Sequence, residues 1–246
     1  MIPKIIHYCW FGRNPLPESA VKCIDSWKKY LPDYEIKEWN EDNFDVNIIP
    51  YTADAYKVKK YAFVSDYARF WILYHYGGLY FDTDVEVIKN MDYIIENGPF
   101  MGCESDASHI KRMTVASGLG LSASPQMVIY KKILNKYQSC KFYTSKGSLN
   151  QVTVVGIVTS VLFNEGLVNK KGIQKIQGLT IYPKEYFCPM DYTTGEIEIT
   201  SNTYTIHHYA ASWQPWYDRL EAKFWHLLGL KRHYICRKLL SIIGVQ

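Results

Sequence analysis

Between residues 61 and 84 the chain carries an unbroken run of local signals that allows few folds. Residues 61–76 place Tyr61, Val64, Ala68, Trp71, Ile72 and His75 on one stripe at helical spacing. Gly77-Gly78 follows, supplying the φ > 0 positions that a helix C-terminus needs. Residues 79–81 are short, apolar and β-prone, and Asp82-Thr83-Asp84 stands at their end. Residues 85–88 continue as an extended run. Helix, glycine cap, short strand and acidic end together describe one step of an open α/β sheet, whose ligands collect at the carboxyl ends of strands.

The flanking sequence agrees. Residues 4–10 read as a buried first strand stopped by Gly12 and Pro15. Residues 17–30 read as a helix carrying Val21, Ile24 and Trp27, with Leu31 just beyond it, and residues 35–39 as a second strand. That β-α-β opening is typical of a nucleotide-binding half. Further on, residues 113–122 are mixed and glycine-containing. Residues 125–137 and 152–163 read as helices, and residues 178–182 and 203–208 as strands. No repeat or linker interrupts the chain. Residues 1–220 are expected to form one catalytic domain, followed by a basic amphipathic tail over 221–246.

Two carboxylates one residue apart at a strand end can reach one divalent cation if the chain bends after the first. Mg²⁺ and Mn²⁺ accept such oxygen ligands, and a nucleotide diphosphate can complete the shell. A bare D-x-D is more often a solvated turn than a site. Here, however, Asp66 and Arg69 share a face of the preceding helix at i and i+3 and are carried toward the acids by a rigid element. An Arg there can hold a phosphate or a sugar hydroxyl, and an Asp can bind sugar hydroxyls. A surface salt bridge would explain that pair, but not the glycines or the acidic strand end.

The ordered block Ser65-Asp66-x-x-Arg69, Leu73, Gly77-Gly78-x-Tyr80-x-Asp82-x-Asp84 resembles the core signature of family 32 glycosyltransferases. That family includes capsular-polysaccharide and yeast-type mannosyl transferases, and the glucosylating domains of large clostridial toxins share a similar core. The resemblance runs from Lys4 to about Trp216. It implies a GT-A fold: α/β, one Rossmann-like, mostly parallel sheet flanked by helices. It implies Mn²⁺ or Mg²⁺, a nucleotide-sugar donor (UDP-galactose or UDP-glucose) and a saccharide or lipid-linked acceptor, with retention of configuration. Asp66, Arg69 and Asp82 would carry the chemistry. Trp10, in the segment Ile5-Ile6-His7-Tyr8-Cys9-Trp10-Phe11-Gly12, would pack on the nucleotide base. Ser65, Asp66, Arg69, Tyr80, Asp82, Ser212 and Trp213 would complete the donor site. Asp84, Asp82 and His207 would hold the metal, with His207 preferred over its neighbour His208. Thr153 to Thr159 resembles a Thr-Gly-Pro segment in which Ile157 replaces the Pro.

Composition narrows the field further. A chain of 246 residues that is 48% hydrophobic and 21% charged is neither disordered nor membrane-spanning. The net charge is +4, of which residues 222–246 alone carry +5 with no acidic residue. A near-neutral body with a basic tail argues against a nucleic-acid-binding domain. That tail is expected either to rest on an anionic membrane surface or to pack on the domain with a solvated basic edge. Six scattered Cys without metal or redox spacing, and an N-terminus without a signal-peptide core, suggest a cytoplasmic protein at or near the membrane's inner face. Two alternatives compete. Leu79 to Val85 also resembles the nucleophile strand of haloacid-dehalogenase-type phosphatases, with Asp82 attacking and Asp84 as acid. Such enzymes need a downstream acidic pair, and Asp92, Asp106, Asp191 and Asp218 stand alone. A non-catalytic, metal-dependent sugar-binding module would explain the carboxylates and the aromatics, but not the Arg, the late His residues and the Ser-Trp segment.

Overall fold

A computed structural model describes residues 1–108, 112–145, 147–150, 153–192 and 194–210. The chain opens on β1 (Ile5–Cys9), α1 (Glu18–Tyr30) and β2 (Glu35–Trp39). β1 and β2 pair in parallel along their full length, from Ile5↔Glu35 to Cys9↔Trp39. α1 turns Ala20, Cys23, Ile24 and Trp27 inward and leaves Val21 exposed. The buried indole of Trp27 donates to the Val85 carbonyl at 2.7 Å, tying this helix to the backbone just after the acidic triplet.

Next come α2 (Pro50–Lys57), α3 (Tyr61–Tyr76), β3 (Gly78–Tyr80) and β4 (Val85–Val87). α3 is more deeply buried than a one-sided stripe implies. Val64, Ala68 and Ile72 are buried as the spacing predicts, but so are Tyr67, Phe70 and Leu73. The reason lies in its neighbours. Trp71 meets Trp39 of β2 edge-on, while Phe70 and Tyr67 meet Tyr130 and Tyr137 of a later helix on another side. A helix covered on several sides is apolar nearly all round. Each fully buried side chain of this size contributes about 1.5–3 kcal/mol, and together they fix the helix that carries Asp66 and Arg69.

The glycine cap is needed at both positions. Gly77 (φ 66°) closes α3 with its amide on the Leu73 carbonyl at 2.9 Å. Gly78 (φ 95°) lies so close to β1 that a Cβ would stand 2.6 Å from the Ile5 carbonyl oxygen. His7 locks the junction. Trp39 Nε1, which can only donate, points at His7 Nδ1 (3.0 Å), so Nε2 carries the proton and donates to the Gly77 carbonyl (3.0 Å). Burial, the Gly77 hydrogen bond and the Lys37 charge set the ring's acidity; burial dominates and lowers its pKa to about 4.

The remaining elements are α4 (Asp92–Glu96), β5 (Phe100–Ser105), β6 (Thr114–Ala116), β7 (Leu121–Ala123), α5 (Val128–Gln138), α6 (Val154–Asn164), β8 (Gln174–Ile176), β9 (Leu179–Tyr182), α7 (Lys184–Phe187) and β10 (Thr205–His207). Among the described residues the strands form three ladders, not the one mostly parallel sheet that the resemblance implied. The first, β2-β1-β3-β7, is parallel except at β7; the second is the antiparallel pair β10-β4; the third is the mixed ladder β6-β5-β9-β8. Residues 113–122 thus contain two short strands and a turn. Among the described residues no helix is long and apolar enough to cross a membrane. Cys9, Cys23, Cys103, Cys140 and Cys188 are free thiols. Residues 211–246, which include Ser212, Trp213 and the basic tail, lie outside the described residues.

Candidate active site

The acidic triplet does bend. Asp82 accepts a backbone hydrogen bond from Val85 at 3.0 Å, so the chain turns between the end of β3 and the start of β4. β10 then pairs antiparallel with β4, His207 opposite Val85. This antiparallel register brings a histidine from late in the chain to the acids. Single ligand atoms of Asp82, Asp84 and His207 lie within 4.8 Å of one another.

Asp84 is held from the β10 side. Its Oδ1 is 3.3 Å from His207 Nε2, its Oδ2 accepts from the Ala210 amide at 2.8 Å, and its carbonyl accepts from the His208 amide at 2.9 Å. Burial pushes the Asp84 carboxyl up. The His207 charge and hydrogen bond and the backbone amides outweigh it and bring the pKa down to about 2. Burial works the other way on His207, but Asp84 and the Cys188 thiol raise it to about 10. His208 turns away and pairs with Glu86 at 2.8 Å. Of the two histidines, His207 is therefore the one that joins the acids.

Asp82 is held from the α3 side. Arg69 Nη1 reaches Asp82 Oδ2 at 3.2 Å and Nη2 reaches Oδ1 at 3.1 Å, a bidentate grip. Tyr80 donates its hydroxyl to Asp82 Oδ1 at 3.2 Å. The same guanidinium donates to Asp66 Oδ1 (2.9 Å), to Ser117 Oγ (3.2 Å) and, through Nε, to the Ser65 carbonyl (3.2 Å). These contacts change the expected role of Arg69. Only 3% exposed and with its donors committed to protein groups, it braces Asp82 rather than gripping a phosphate. Tyr80, at 1% exposed, likewise stands behind Asp82 as a support. Ser65 bonds its own helix at the Tyr61 carbonyl.

Asp66 shares Arg69 with Asp82. Burial raises its carboxyl, Arg69 lowers it and Asp82 raises it again, leaving it at about 7. Burial also raises Asp82, against Arg69. One guanidinium between two half-buried carboxylates cannot fully satisfy both, which leaves a group that can hold or release a proton near neutrality.

Gly118 and Ser117 complete the cluster, and their roles were not read from the sequence, where residues 113–122 were only mixed and glycine-containing. A Cβ at Gly118 would stand 2.2 Å from Asp82 Oδ2. A glycine packed against a carboxylate from a distant strand has no local sequence signature.

Trp10 lies at the carboxyl end of β1, its Nε1 donating to the Asn14 carbonyl at 2.6 Å. With Arg13, Glu38 and Glu41 it lines a cavity of about 470 Å³ beside the end of β2. Arg13 is paired with Asp42 at 2.5 Å. A cavity at the ends of two parallel strands is the usual place for a nucleotide in an open α/β sheet.

Two carboxylates and an imidazole form a donor set suited to Mn²⁺ or Mg²⁺, and Gly118 leaves Asp82 the room to take part. The phosphatase alternative fits less well. Both oxygens of Asp82 are already hydrogen-bonded, and the one cation-capable group among the described residues contains a histidine and no second acidic pair.

The architecture is that of the GT-A glycosyltransferases. Residues 17–101 match the family model described as a glycosyltransferase sugar-binding region containing a DXD motif. The relatives in sequence and structure are glycosyltransferases. Inositol phosphoceramide mannosyltransferase 1 of Schizosaccharomyces pombe is 29% identical over 111 residues, 41% of this chain and 33% of that protein. Mannosyl phosphorylinositol ceramide synthase CSH1 of Saccharomyces cerevisiae is 27% identical over 164 residues, 63% of this chain and 40% of that protein. This chain thus spans between a third and two fifths of those relatives. The solved structure of the PaToxG glycosyltransferase matches with a TM-score of 0.50 at 20% identity, over 67% of this chain and 70% of that one.

Proposed function

We propose that this chain is a metal-dependent glycosyltransferase that moves a hexose from a nucleoside-diphosphate sugar to a hydroxyl of a saccharide or lipid-linked acceptor. The observation that carries this reading is the convergence of Asp82, Asp84 and His207, with the two carboxylates braced from opposite sides. The relatives' names support the acceptor class, since both include an inositol-phosphate ceramide. They also add mannose to the galactose and glucose that the sequence suggests as the transferred sugar.

When bound, Mn²⁺ or Mg²⁺ would neutralise charge on the departing diphosphate. Asp82, Asp84 and His207 would hold it. Arg69 and Tyr80 keep Asp82 in place, so the carboxylate needs little reorganisation during the reaction. Asp66, poised near neutrality beside Arg69, is the carboxyl available to hydrogen-bond a sugar hydroxyl. Trp10 offers an aromatic face beside the cavity at the strand ends for the nucleotide base.

A donor screen with Mn²⁺, scoring hydrolysis of UDP-glucose, UDP-galactose and GDP-mannose, tests the reading. One of these donors is expected to be cleaved, and Asp84→Ala to slow that cleavage at least about 100-fold. Equal rates for parent and Asp84→Ala, or no cleavage of any sugar nucleotide, would overturn it.

A further inference from the structure

A second cavity, of about 520 Å³, lies between β6 and α6. That volume is in the range of small-ligand sites. Arg112 and Thr114 form its wall on the β6 side, and Gly156, Ser160, Phe163 and Asn164 form the wall on α6. Helix and strand are tied along the cavity by the Val115 amide, which donates to Thr159 Oγ1 at 2.9 Å.

One wall of the cavity is continuous along the chain with the catalytic cluster. β6 runs on into Ser117, which Arg69 binds, and then Gly118, which abuts Asp82. Thr114 and Gly118 are four residues apart, and because the chain bends after Ala116 they lie no more than about 14 Å from each other. The Arg112 guanidinium lies over the Phe163 ring, 3.7 Å from its centroid. Arg13 and Arg69 are both paired with carboxylates, whereas Arg112 has no carboxylate partner among the described residues. A guanidinium held over an aromatic ring, with no carboxylate partner among the described residues, is preorganised for a phosphate. Ser160 and Asn164 add side chains that can both donate and accept, as a polyol requires, while the Thr114 hydroxyl is bonded to Ser105 Oγ at 2.6 Å.

We propose that this cavity receives the acceptor and that Arg112 binds a phosphate ester on it. The acceptor class is a phosphorylated polyol or saccharide, free or borne on a lipid. The inference rests on the glycosyltransferase reading, because the Asp82 cluster is what gives a molecule in this cavity something to react with.

The test uses the full chain with Mn²⁺ and saturating UDP or GDP. It is titrated calorimetrically with myo-inositol 1-phosphate and with myo-inositol, alongside Arg112→Gln. Arg112 is exposed, so the variant leaves the core untouched. The ester is expected to bind at least about tenfold more tightly than the free polyol. Arg112→Gln should remove that preference and leave nucleotide affinity unchanged. Pelleting with phosphatidylcholine vesicles, with and without phosphatidylinositol, separates the two sources. Arg112-dependent retention on the inositol lipid assigns a lipid-borne ester; binding of the soluble ester alone assigns a free one. No preference for the ester, a preference that survives Arg112→Gln, or an equal loss of nucleotide affinity would overturn the assignment while leaving the transferase reading standing. If neither nucleotide binds in the presence of Mn²⁺, both fail together.

Discussion

At the scale of single residues, the site depends on how each carboxylate is held. Asp82 has three donors on it, two from Arg69 and one from Tyr80. A hydrogen bond to a charged group is worth about 1.5–3 kcal/mol. Tyr80→Phe removes one such bond without emptying the core. It is expected to lower turnover about tenfold and to cost no more than about 1.5–3 kcal/mol of stability, as steady-state kinetics and calorimetry would show. Gly118→Ala is a harsher change, because its methyl would fall 2.2 Å from Asp82 Oδ2. The carboxylate must move, so activity should fall further than in Tyr80→Phe, with about 1–3 kcal/mol of stability lost in urea titration. Activity equal to the parent's would mean that Asp82 need not sit where Arg69 holds it.

At the scale of elements, the junction between α3 and β3 sets the direction of the strand that ends in the acids. Gly78→Ala combines a positive φ with a contact of 2.6 Å to the Ile5 carbonyl, and is expected to cost about 3 kcal/mol in chemical denaturation. The same junction makes stability depend on pH. His7 titrates at about 4 in the folded chain, below its ordinary value of 6.5. The folded state therefore holds the neutral ring, and the unfolded state binds the proton first as pH falls. Its contribution is complete above pH 6.5 and is lost as pH falls toward 4, reaching about 3 kcal/mol. Urea titrations of the parent and of His7→Asn between pH 7 and 4 would check this. The parent should lose more stability over that window, and parallel curves would contradict it.

These elements also show what could be read from the sequence. α1, β2, α3 and the glycine cap were legible because their signals are local: helical spacing, a short β-prone run, and two glycines where φ must be positive. Asp82, Asp84 and Asp66 were legible for the same reason. The support around them was less so. Ser117, Gly118 and the bracing role of Tyr80 arise from packing between α3, β3 and the end of β6, which no local pattern records. The inward turn of Tyr67, Phe70 and Leu73 depends on α5, more than fifty residues further on. His207 could be named from the resemblance, but its separation from His208 rests on the antiparallel register of β10 on β4.

At the scale of the whole molecule, three ladders share the work. The parallel β1-β2-β3 ladder presents Trp10 and the first cavity at its strand ends, and the β4-β10 pair supplies Asp84's partner. The mixed ladder sends β6 past a second cavity and on to Asp82. One cavity lies at the ends of β1 and β2, and the other is walled by the strand that runs on to Ser117 and Gly118 beside Asp82. Everything in this arrangement depends on the cluster holding a cation against a nucleotide diphosphate. Electron paramagnetic resonance of Mn²⁺, titrated into the parent and into Asp84→Asn with UDP or GDP present, tests that directly. The parent should bind one Mn²⁺ whose signal changes when the nucleotide is added, and Asp84→Asn should weaken that binding at least about tenfold. Mn²⁺ binding that is absent from the parent, or unchanged in Asp84→Asn, would contradict the account.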